Sequence, residues 1–284
     1  MKVVYVTGCL GFIGSYVTRK CLQKGWYVRG IDKMTYAANT SFLEEFSKYN
    51  NFVFERKDVK DLDHLYDCDY IINTAAESHV GNSIVKSDDF STDEVYGYLV
   101  SGYHTEDSLL RPSNPYAAAK ASADMLITAW ARTYGVEYII LRPTNNYGIG
   151  QYPEKLIPLS VKKLFRGKKI RLHNNGEPVR NWLHADDTAE AVLSIIDSGK
   201  VNEIYNVAGG HEQKNSETVR KIVLHYHNTQ DWRQYVDFSY SRPGQDVRYA
   251  LDDSKLRQLG WQPNKSFDEE IQKIVEYHKN KFVW

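Results

Sequence analysis

Two pairs of side chains in this sequence have the types and spacing for acid–base chemistry. Tyr116 precedes Lys120 by four residues, and Asp93 stands directly before Glu94. Pro115 and the alanines that follow it favour a helix, on which Tyr116 and Lys120 share a face. A nearby ammonium stabilises a phenolate, so we expect Lys120 to lower the pKa of Tyr116 from its usual value of about 10. The pair therefore predicts a base that takes a proton from a hydroxyl group.

A glycine-rich loop near the beginning of the chain predicts a dinucleotide site. An apolar run at residues 3–6 is typical of a strand, and a helical pattern extends from the loop to about Lys24. Between them lies Thr7-Gly8-Cys9-Leu10-Gly11-Phe12-Ile13-Gly14, with the spacing GxxGxxG. Glycines allow a tight turn and a close approach of the backbone, and the N–H groups of the helix face a pyrophosphate.

An acid after the second predicted strand indicates which dinucleotide binds. Asp32 lies about 20 residues past the loop, where a carboxylate accepts a hydrogen bond from the ribose 2′-hydroxyl. It repels a 2′-phosphate, so we expect NAD rather than NADP. Arg29 and Lys33 keep the alternative open, because either side chain could pair with a phosphate.

Strand-like and helical patterns alternate along the first half of the chain. Runs at residues 27–31, 52–55, 70–73 and 136–141 indicate the α/β class with a doubly wound parallel (Rossmann) sheet. We assign residues 1–155 to an NAD-binding domain, with a returning segment near residues 180–207. Residues 156–284 are assigned to a smaller α/β domain, and a substrate is expected where the two domains meet.

The composition argues against several classes of function. The 284 residues carry 36 Lys and Arg against 36 Asp and Glu, a balance that favours neither nucleic acid nor a membrane surface as a partner. Cys9, Cys21 and Cys68 lack metal-ligand spacing, so we expect free thiols in a reducing cytoplasm and no metal. No apolar run reaches the ~20 residues of a membrane span. The first residues lead directly into a strand, so no signal peptide is expected.

Together these segments resemble the extended short-chain dehydrogenase/reductase family, and within it the nucleoside-diphosphate-glucose 4,6-dehydratases of the dTDP-glucose 4,6-dehydratase type. The resemblance covers nearly the whole chain and is carried by residues 7–14, 32–37, 75–80, 91–97, 116 and 120, 145–148, 153–158 and 242–244. Thr92-Asp93-Glu94 is the most specific part, because epimerase relatives lack this acid pair. The resemblance implies a homodimeric lyase with tightly held NAD that serves deoxysugar biosynthesis, such as that of rhamnose.

The resemblance also implies a role for each catalytic residue. Tyr116, positioned with Thr92 and Lys120, would take the sugar O4 proton while NAD takes the C4 hydride. Glu94 would act as the base at C5, and Asp93 as the acid for the departing C6 hydroxyl. Two carboxyls hold opposite protonation states only if their environments differ.

The remaining predicted site residues come from the glycine loop, the strand ends and the family match. We expect cofactor contacts from Gly8, Gly11, Phe12, Ile13, Gly14, Asp32, Lys33, Thr35, Asp58, Val59, Ala75, Ala76, Tyr116, Lys120 and Asn146. We expect substrate contacts from Ser78, Asn145, Lys155, Leu156, Arg171, His173, Arg180, Asn215, Arg242 and Gln245. Arg180 and Arg242 match the diphosphate contacts of the family, because a planar guanidinium binds phosphate bidentately.

The nucleobase side departs from the dTDP pattern. The dTDP enzymes usually have Pro-x-Tyr where this chain has Arg171-Leu172-His173, His where Gln245 stands, and Asp where Gly81 stands. His173 matches instead the UDP-glucose 4,6-dehydratase part of plant rhamnose synthases. Both dTDP-glucose and UDP-glucose therefore stay open as substrates.

Other functions are compatible with part of the pattern. A nucleotide-sugar 4-epimerase or a UDP-glucuronate decarboxylase shares the fold, but epimerase chemistry needs no C5 base or C6 acid. A non-catalytic NAD-sensing regulator has no use for Tyr116, Lys120 and Glu94. If these residues form no catalytic site, Tyr116 is a buried tyrosine beside the solvated Lys120, and Asp93 and Glu94 are solvated loop residues.

One expected element has no counterpart in the sequence. By resemblance, a helix and a buried strand separate the Ser78 region from Ser91, yet only residues 81–90 are available and no apolar strand precedes Ser91. A parallel crossover needs about a dozen residues or more. We therefore hypothesise that the sequence omits residues between Phe90 and Ser91. A peptide bond of about 1.33 Å between them would instead show a true deletion.

Overall fold

The computed structural model of the protein describes residues 1–62, 64, 66–75, 91–240 and 246–281. Its first sheet has four parallel strands in the order β3-β2-β1-β4. They are Val3–Thr7 (β1), Tyr27–Ile31 (β2), Phe52–Glu55 (β3) and Tyr70–Asn73 (β4). The parallel sheet confirms the predicted α/β class.

The other elements follow in chain order. The further strands are Ile139–Pro143 (β5), Asn145–Tyr147 (β6), Ile170–Arg171 (β7), Val179–His184 (β8), Glu203–Val207 (β9), His211–Lys214 (β10) and Val236–Asp237 (β11). The helices are Phe12–Gln23 (α1), Thr40–Phe46 (α2), Pro115–Tyr134 (α3), Leu156–Phe165 (α4), Ala185–Ser198 (α5), Asn215–His227 (α6), Ser254–Arg257 (α7) and Phe267–Asn280 (α8). Short 3-10 turns lie at Val59–Asp61, Asp93–Tyr96, His173–Gly176 and Arg233–Tyr235. None of the helices in the described ranges combines the length and apolar character of a membrane span.

The first sheet shares its core with two helices that are distant in sequence. Val17 and Leu22 of α1 pack in one cluster with Val192 and Leu193 of α5. Helix α5 lies within the segment that we predict to return to the NAD-binding domain near residues 180–207. The division of the chain into two domains at residue 155 stays a prediction.

A second core is built by α4, α6 and α8. Ile157, Ile222 and Ile271 are almost fully buried and belong to one cluster. Helical patterns in the sequence at residues 186–198, 216–227 and 267–279 predict these three helices, and their ends in the structure differ from that prediction by at most one residue. Apolar residues at helical spacing gave a sufficient signal for these three helices.

The parallel sheet is interrupted between β4 and β5. Among the described residues, β4 pairs with β1 alone, whereas β5 pairs with β9 in a separate two-stranded sheet. The predicted strand at residues 136–141 lies slightly later, at Ile139–Pro143. The junction between Phe90 and Ser91, whose bond length tests the hypothesis of omitted residues, lies outside the described residues on its Phe90 side.

Candidate active site

The carboxyl ends of the parallel strands open into a cleft of about 320 Å³. Loops after β1, β2, β4 and β5 form its walls, as expected where neighbouring parallel strands end at one edge of a sheet. Many of the residues predicted for catalysis and binding line it: Gly8, Gly11, Phe12, Ile13, Asp32, Lys33, Thr35, Asp58, Val59, Ala75, Thr92, Asp93, Glu94, Tyr116, Asn145, Asn146 and Lys155. Their individual roles stay predictions.

The glycine loop has the geometry that a bound pyrophosphate requires. Gly8 has a φ of +67°, and a Cβ on it would lie 2.8 Å from the backbone nitrogen of Ala75. A Cβ on Gly14 would lie 2.1 Å from the Gly8 carbonyl oxygen, so α1 approaches the loop closely at this position, although Gly14 itself does not line the cleft. Gly11 occupies the N-cap of α1 and has no side chain to cap it. The first-turn N–H groups of α1 are therefore open to an anion, and the loop fits a dinucleotide.

Asp32 links this loop to the turn after β2. Its carboxylate accepts hydrogen bonds from the backbone N–H groups of Leu10, at 3.0 Å, and Met34, at 2.7 Å. Burial raises its pKa, while these two hydrogen bonds act in the opposite direction. A carboxylate has about four acceptor positions. Asp32 can therefore accept from a ribose hydroxyl while it holds the loop.

Arg29 and Lys33, the two cations that left NADP as an alternative cofactor, each contact another side chain of the protein. Lys33 Nζ lies 3.4 Å from an Asp58 carboxylate oxygen. The guanidinium carbon of Arg29 lies 4.7 Å from the ring centroid of Tyr66. These contacts favour NAD, because a 2′-phosphate would meet the Asp32 carboxylate, while Lys33, which also lines the cleft, is already paired with Asp58.

We expect protein stripped of cofactor to bind NAD more tightly than NADP by at least about tenfold. The Asp32→Asn variant should narrow that ratio, because it removes the charge that repels a 2′-phosphate. Lys33→Gln is the matched control and should leave the preference for NAD in place. Isothermal titration with both dinucleotides measures the ratio, and equal affinities for the parent would contradict the prediction.

Tyr116 and Lys120 share one face of α3, as predicted. The Lys120 ammonium lies 5.7 Å from the centroid of the Tyr116 ring. The expected decrease in the pKa of Tyr116 is nevertheless wrong for the protein alone. Burial raises that pKa, and the charges of Glu94 and Asp93 raise it further. A positively charged ring bound in the cleft would act in the opposite direction.

Asp93 and Glu94 occupy different environments, as acid and base roles require. Asp93 is 2% exposed; its Oδ1 accepts from the Thr92 hydroxyl at 3.0 Å, whereas its Oδ2 has no hydrogen-bond partner among the described residues. Burial, followed by the charge of Glu94, raises the pKa of Asp93 to about 7. Glu94 is half-buried and accepts from the Asn114 side chain at 3.0 Å. Asp93 is therefore suited to donate a proton near neutral pH.

The raised pKa of Asp93 predicts a pH-dependent cost in stability. The ordinary value is 3.8 and the folded value about 7. Between these values the folded state binds more protons than the unfolded state, so stability falls as pH rises from about 4 to 7. Asp93→Asn removes this loss. Its gain in unfolding free energy should be larger at pH 8 than at pH 5 by about 2–3 kcal/mol.

Thermal unfolding at the two pH values measures this difference. Asp107→Asn, which alters an exposed carboxylate in a loop, serves as the control and should show no such change. A gain for Asp93→Asn that is the same at pH 5 and pH 8 would contradict the raised pKa.

Asn114 is a site residue that the sequence reasoning missed. Its Oδ1 accepts from the backbone N–H of Ala117 at 2.9 Å and so caps α3, while its Nδ2 donates to Glu94. The cap thus couples the beginning of the helix that carries Tyr116 to the predicted C5 base. The signal was available, because Asn before a Pro at the first helical position is a typical N-cap.

A buried polar network anchors the catalytic loop to its neighbours. Asp124, on the Tyr116 face of α3, accepts from Arg142 Nε and from the Ser91 hydroxyl, both at 2.8 Å. Arg142 also donates to the Tyr96 hydroxyl at 2.7 Å. The loop is therefore fixed to α3 and β5. No sequence pattern indicated these contacts, because they join residues far apart in the chain.

Two predicted substrate residues, Arg171 and His173, meet around one aromatic ring. The Arg171 guanidinium carbon lies 4.5 Å from the centroid of the Tyr240 ring, and the His173 ring lies 6.0 Å from it. Neither lines the 320 Å³ cleft. The predicted nucleobase side of the site is therefore separate from its catalytic end.

Arg180 lies at the catalytic end. Its guanidinium carbon is 4.8 Å from the Tyr249 ring, and burial and then the Glu94 charge raise the pKa of Tyr249. The charge of Glu94 therefore acts on Tyr249, a residue that no sequence pattern identified. Asn215 begins α6, and its Oδ1 is buried without a partner among the described residues.

The other predicted binding residues differ in whether their side chains already make hydrogen bonds or packing contacts within the protein. Asn145 Oδ1 is also buried without a described partner, whereas Asn146 uses both amide atoms within the protein, accepting from Thr188 and donating to the Thr144 carbonyl. Leu156 packs against the second core rather than lining the cleft. Ala76, Ser78, Gly81, Arg242 and Gln245 lie outside the described residues.

Comparison with known proteins decides the family. The family model for GDP-mannose 4,6 dehydratase matches residues 5–91 and 89–274. A dTDP-glucose 4,6-dehydratase of Haemophilus influenzae is 36% identical over an alignment that covers 98% of this chain and 98% of its own. This chain belongs to the nucleotide-sugar 4,6-dehydratase family. The predicted family is confirmed, and with it the enzyme class, an NAD-dependent hydro-lyase.

Solved structures agree with this dehydratase assignment. DesIV, a dTDP-glucose 4,6-dehydratase from Streptomyces venezuelae with NAD and TYD bound, has a TM-score of 0.91 and 36% identity, and the match covers 99% of this chain and 98% of DesIV. A UDP-glucuronic acid 4-epimerase mutant from Bacillus cereus has a TM-score of 0.88 but 23% identity, with 99% of each chain covered, and shows the fold alone.

The dehydratase chain is shorter than its relative at an internal point. The alignment with the Haemophilus protein extends over 331 positions, more than the 284 residues present here. The two parts of the family match meet at residues 89–91. The relative therefore has residues that this chain lacks, and the family match is broken beside Ser91.

Proposed function

We propose that this protein removes water from dTDP-glucose or UDP-glucose and forms the corresponding 4-keto-6-deoxy sugar nucleotide. The observation that carries the proposal is the unlike carboxyl pair, Asp93 buried with a raised pKa and Glu94 held by Asn114, in one cleft with Tyr116 and the glycine loop. An epimerase has no use for such a pair.

The residues of the cleft divide the reaction between them. Tyr116 takes the proton of the 4-hydroxyl, and Glu94 takes the proton from C5, which the 4-ketone makes acidic. Asp93 gives its proton to the C6 hydroxyl, which leaves as water. NAD held at the glycine loop would supply the acceptor for the C4 hydride and the donor of the same hydride to C6. Glu94 returns its proton to C5 in that last step, so the product is complete and no external oxidant or reductant is consumed.

A direct assay tests whether the substrate is the dTDP or the UDP derivative of glucose. The protein is incubated separately with dTDP-glucose and UDP-glucose, and the 4-keto-6-deoxy product is measured by its absorbance in alkali. Product from either substrate supports the proposal, and the ratio of kcat/KM values assigns the carrier. An NAD-containing protein that forms no product from either, or that forms the 4-epimer, would contradict it.

We also propose a cytoplasmic homodimer that pairs through α3. Leu126, Trp130 and Tyr134 recur every four residues and are 56%, 59% and 74% exposed, so they form an apolar stripe on one face of the helix. A second copy of the same stripe would cover it by two-fold symmetry. The three free cysteines suit a reducing compartment.

We expect Trp130→Glu to convert the dimer to a monomer, because a charge at the centre of the stripe would be buried without a partner. Sedimentation equilibrium measures the change in mass. Phe165→Glu, at a site on α4 that is 58% exposed, is the matched control and should stay dimeric. A parent that is monomeric at micromolar concentration would rule out the interface.

A further inference from the structure

A short segment at residues 246–251 lies between β8 and the loop that precedes α3. On one side, the backbone N–H of Val179 donates to the Val247 carbonyl at 2.8 Å. On the other side, the N–H of Leu99 donates to the Arg248 carbonyl at 2.9 Å. Backbone hydrogen bonds therefore fix this segment, and its side chains are available to hold other parts of the protein.

Asp246, the first residue of the segment, uses its carboxylate to hold the loop before α3. The residue is 6% exposed and does not line the active-site cleft. Its Oδ2 accepts from the Ser113 hydroxyl at 2.7 Å and also from the hydroxyl of Tyr249, which is 3% exposed. Donors of this kind stabilise a buried carboxylate. The proposed reaction assigns no role to this group.

The hydrogen bond to Ser113 leads directly to the predicted C5 base. Ser113 adjoins Asn114, whose side chain caps α3 and donates to Glu94 Oε2 at 3.0 Å. Glu94 lines the cleft, whereas Ser113 and Asn114 do not. Asp246 is therefore connected to Glu94 through one hydroxyl, one peptide unit and one side-chain amide.

The same segment also holds Arg180, the predicted contact of the substrate diphosphate. The Asp246 carbonyl oxygen accepts from Arg180 Nη1 at 3.3 Å, and the Tyr249 ring lies 4.8 Å from the guanidinium carbon. The cation predicted to bind the phosphate end of the substrate thus shares a support with the base predicted to act at C5. Their separation depends on the contacts of Asp246.

We propose that Asp246 is a positioning residue for the loss of water. Through Ser113 and Asn114 it holds the Glu94 carboxylate at a fixed distance from Arg180, and so from C5 of a substrate anchored by its diphosphate. Misplacement of a catalytic group by about 1 Å can cost about 100-fold in rate. This inference rests on the proposed dehydration, in which Glu94 removes the C5 proton.

Substitution of Ser113 tests the connection, because this residue is exposed and its replacement should leave the fold intact. In a single turnover, Ser113→Ala should slow water loss by at least about tenfold and change oxidation at C4 by less than about twofold. Ser113→Thr retains the hydroxyl and should stay within about twofold of the parent. The matched control is Ser108→Ala, which removes another hydroxyl from the same loop, one that accepts from the Thr105 N–H at 3.0 Å. It should behave like the parent.

Two combinations of variants show whether the effect passes through Glu94. In the Glu94→Gln background, Ser113→Ala should slow water loss no further, since the base is already absent. Asp246→Ala should slow water loss at least as much as Ser113→Ala, and the double variant should be no slower than Asp246→Ala alone. Thermal unfolding checks the fold of each variant. A merely structural contact would instead lower the unfolding temperature and slow both steps together.

Three outcomes would overturn the proposal. Ser113→Ala could match the parent or slow oxidation and water loss equally, which would show that Glu94 is positioned without Asp246. Ser113→Ala could slow water loss further in the Glu94→Gln background, which would show that it acts by another route. A parent that forms no 4-keto-6-deoxy product would overturn the proposed function and this inference together, whereas the first two outcomes leave the proposed function in place.

Discussion

Replacement of Tyr116 by phenylalanine is expected to lower turnover by at least about 100-fold while the protein still folds and binds NAD. The change removes the phenolic oxygen alone, and general acid–base help contributes about 10²–10⁴-fold. The ring that faces Lys120 is retained, so the packing of α3 should be unchanged. Product formation, thermal unfolding and NAD titration measure the three quantities separately.

Tyr98→Phe is the matched control for this variant. It makes the same chemical change at a side chain that is 54% exposed and does not line the cleft. Its turnover should equal that of the parent. Near-parental turnover in Tyr116→Phe would remove Tyr116 from the role of base.

Glu94→Gln is expected to slow the loss of water by about 100-fold or more and to leave oxidation at C4 much less affected. The amide can still accept the hydrogen bond from Asn114 but cannot take the C5 proton. The 4-keto intermediate should therefore form and persist. In a single turnover, the absorbance of the reduced cofactor should rise and decay slowly, whereas in the parent it decays quickly.

Glu106→Gln provides the comparison for this second variant. Glu106 is also half-buried and accepts a hydrogen bond, from the backbone N–H of Asn206, but it does not line the cleft. Its single-turnover trace should match that of the parent. If oxidation and water loss slow equally in Glu94→Gln, the division of roles between Tyr116 and Glu94 is wrong.

Sequence patterns predicted those parts of the fold that are determined by residues close together in the chain. The glycine loop, the helix that begins at Pro115 and the apolar spacing of α8 each depend on neighbours in sequence, and all three elements form where expected. β8 and β10 were not predicted, because their pairing joins residues 179–182 to residues 211–214 and neither run alternates clearly.

The sequence predicted which residue types carry the chemistry of the site, but it did not predict how burial and neighbouring charges shift their pKa values. A Tyr and a Lys four residues apart identify a shared helix face, yet the pKa of Tyr116 depends on burial and on two carboxylates from another loop. The same non-local burial raises the pKa of Asp93. Such effects require knowledge of which distant segments enclose a group, which spacing alone does not supply.

The packing of α5 on α1 has a consequence for how the protein is made. The ribosome completes the glycine loop and α1 early, but α5, which contributes Val192 and Leu193 to their common core, emerges only after the whole catalytic helix α3. Until then the part of the apolar face of α1 that packs against α5 is uncovered in the nascent chain. A fragment that ends at residue 155 would keep that face exposed, so translation must pass α5 before the nucleotide-binding half can become stable.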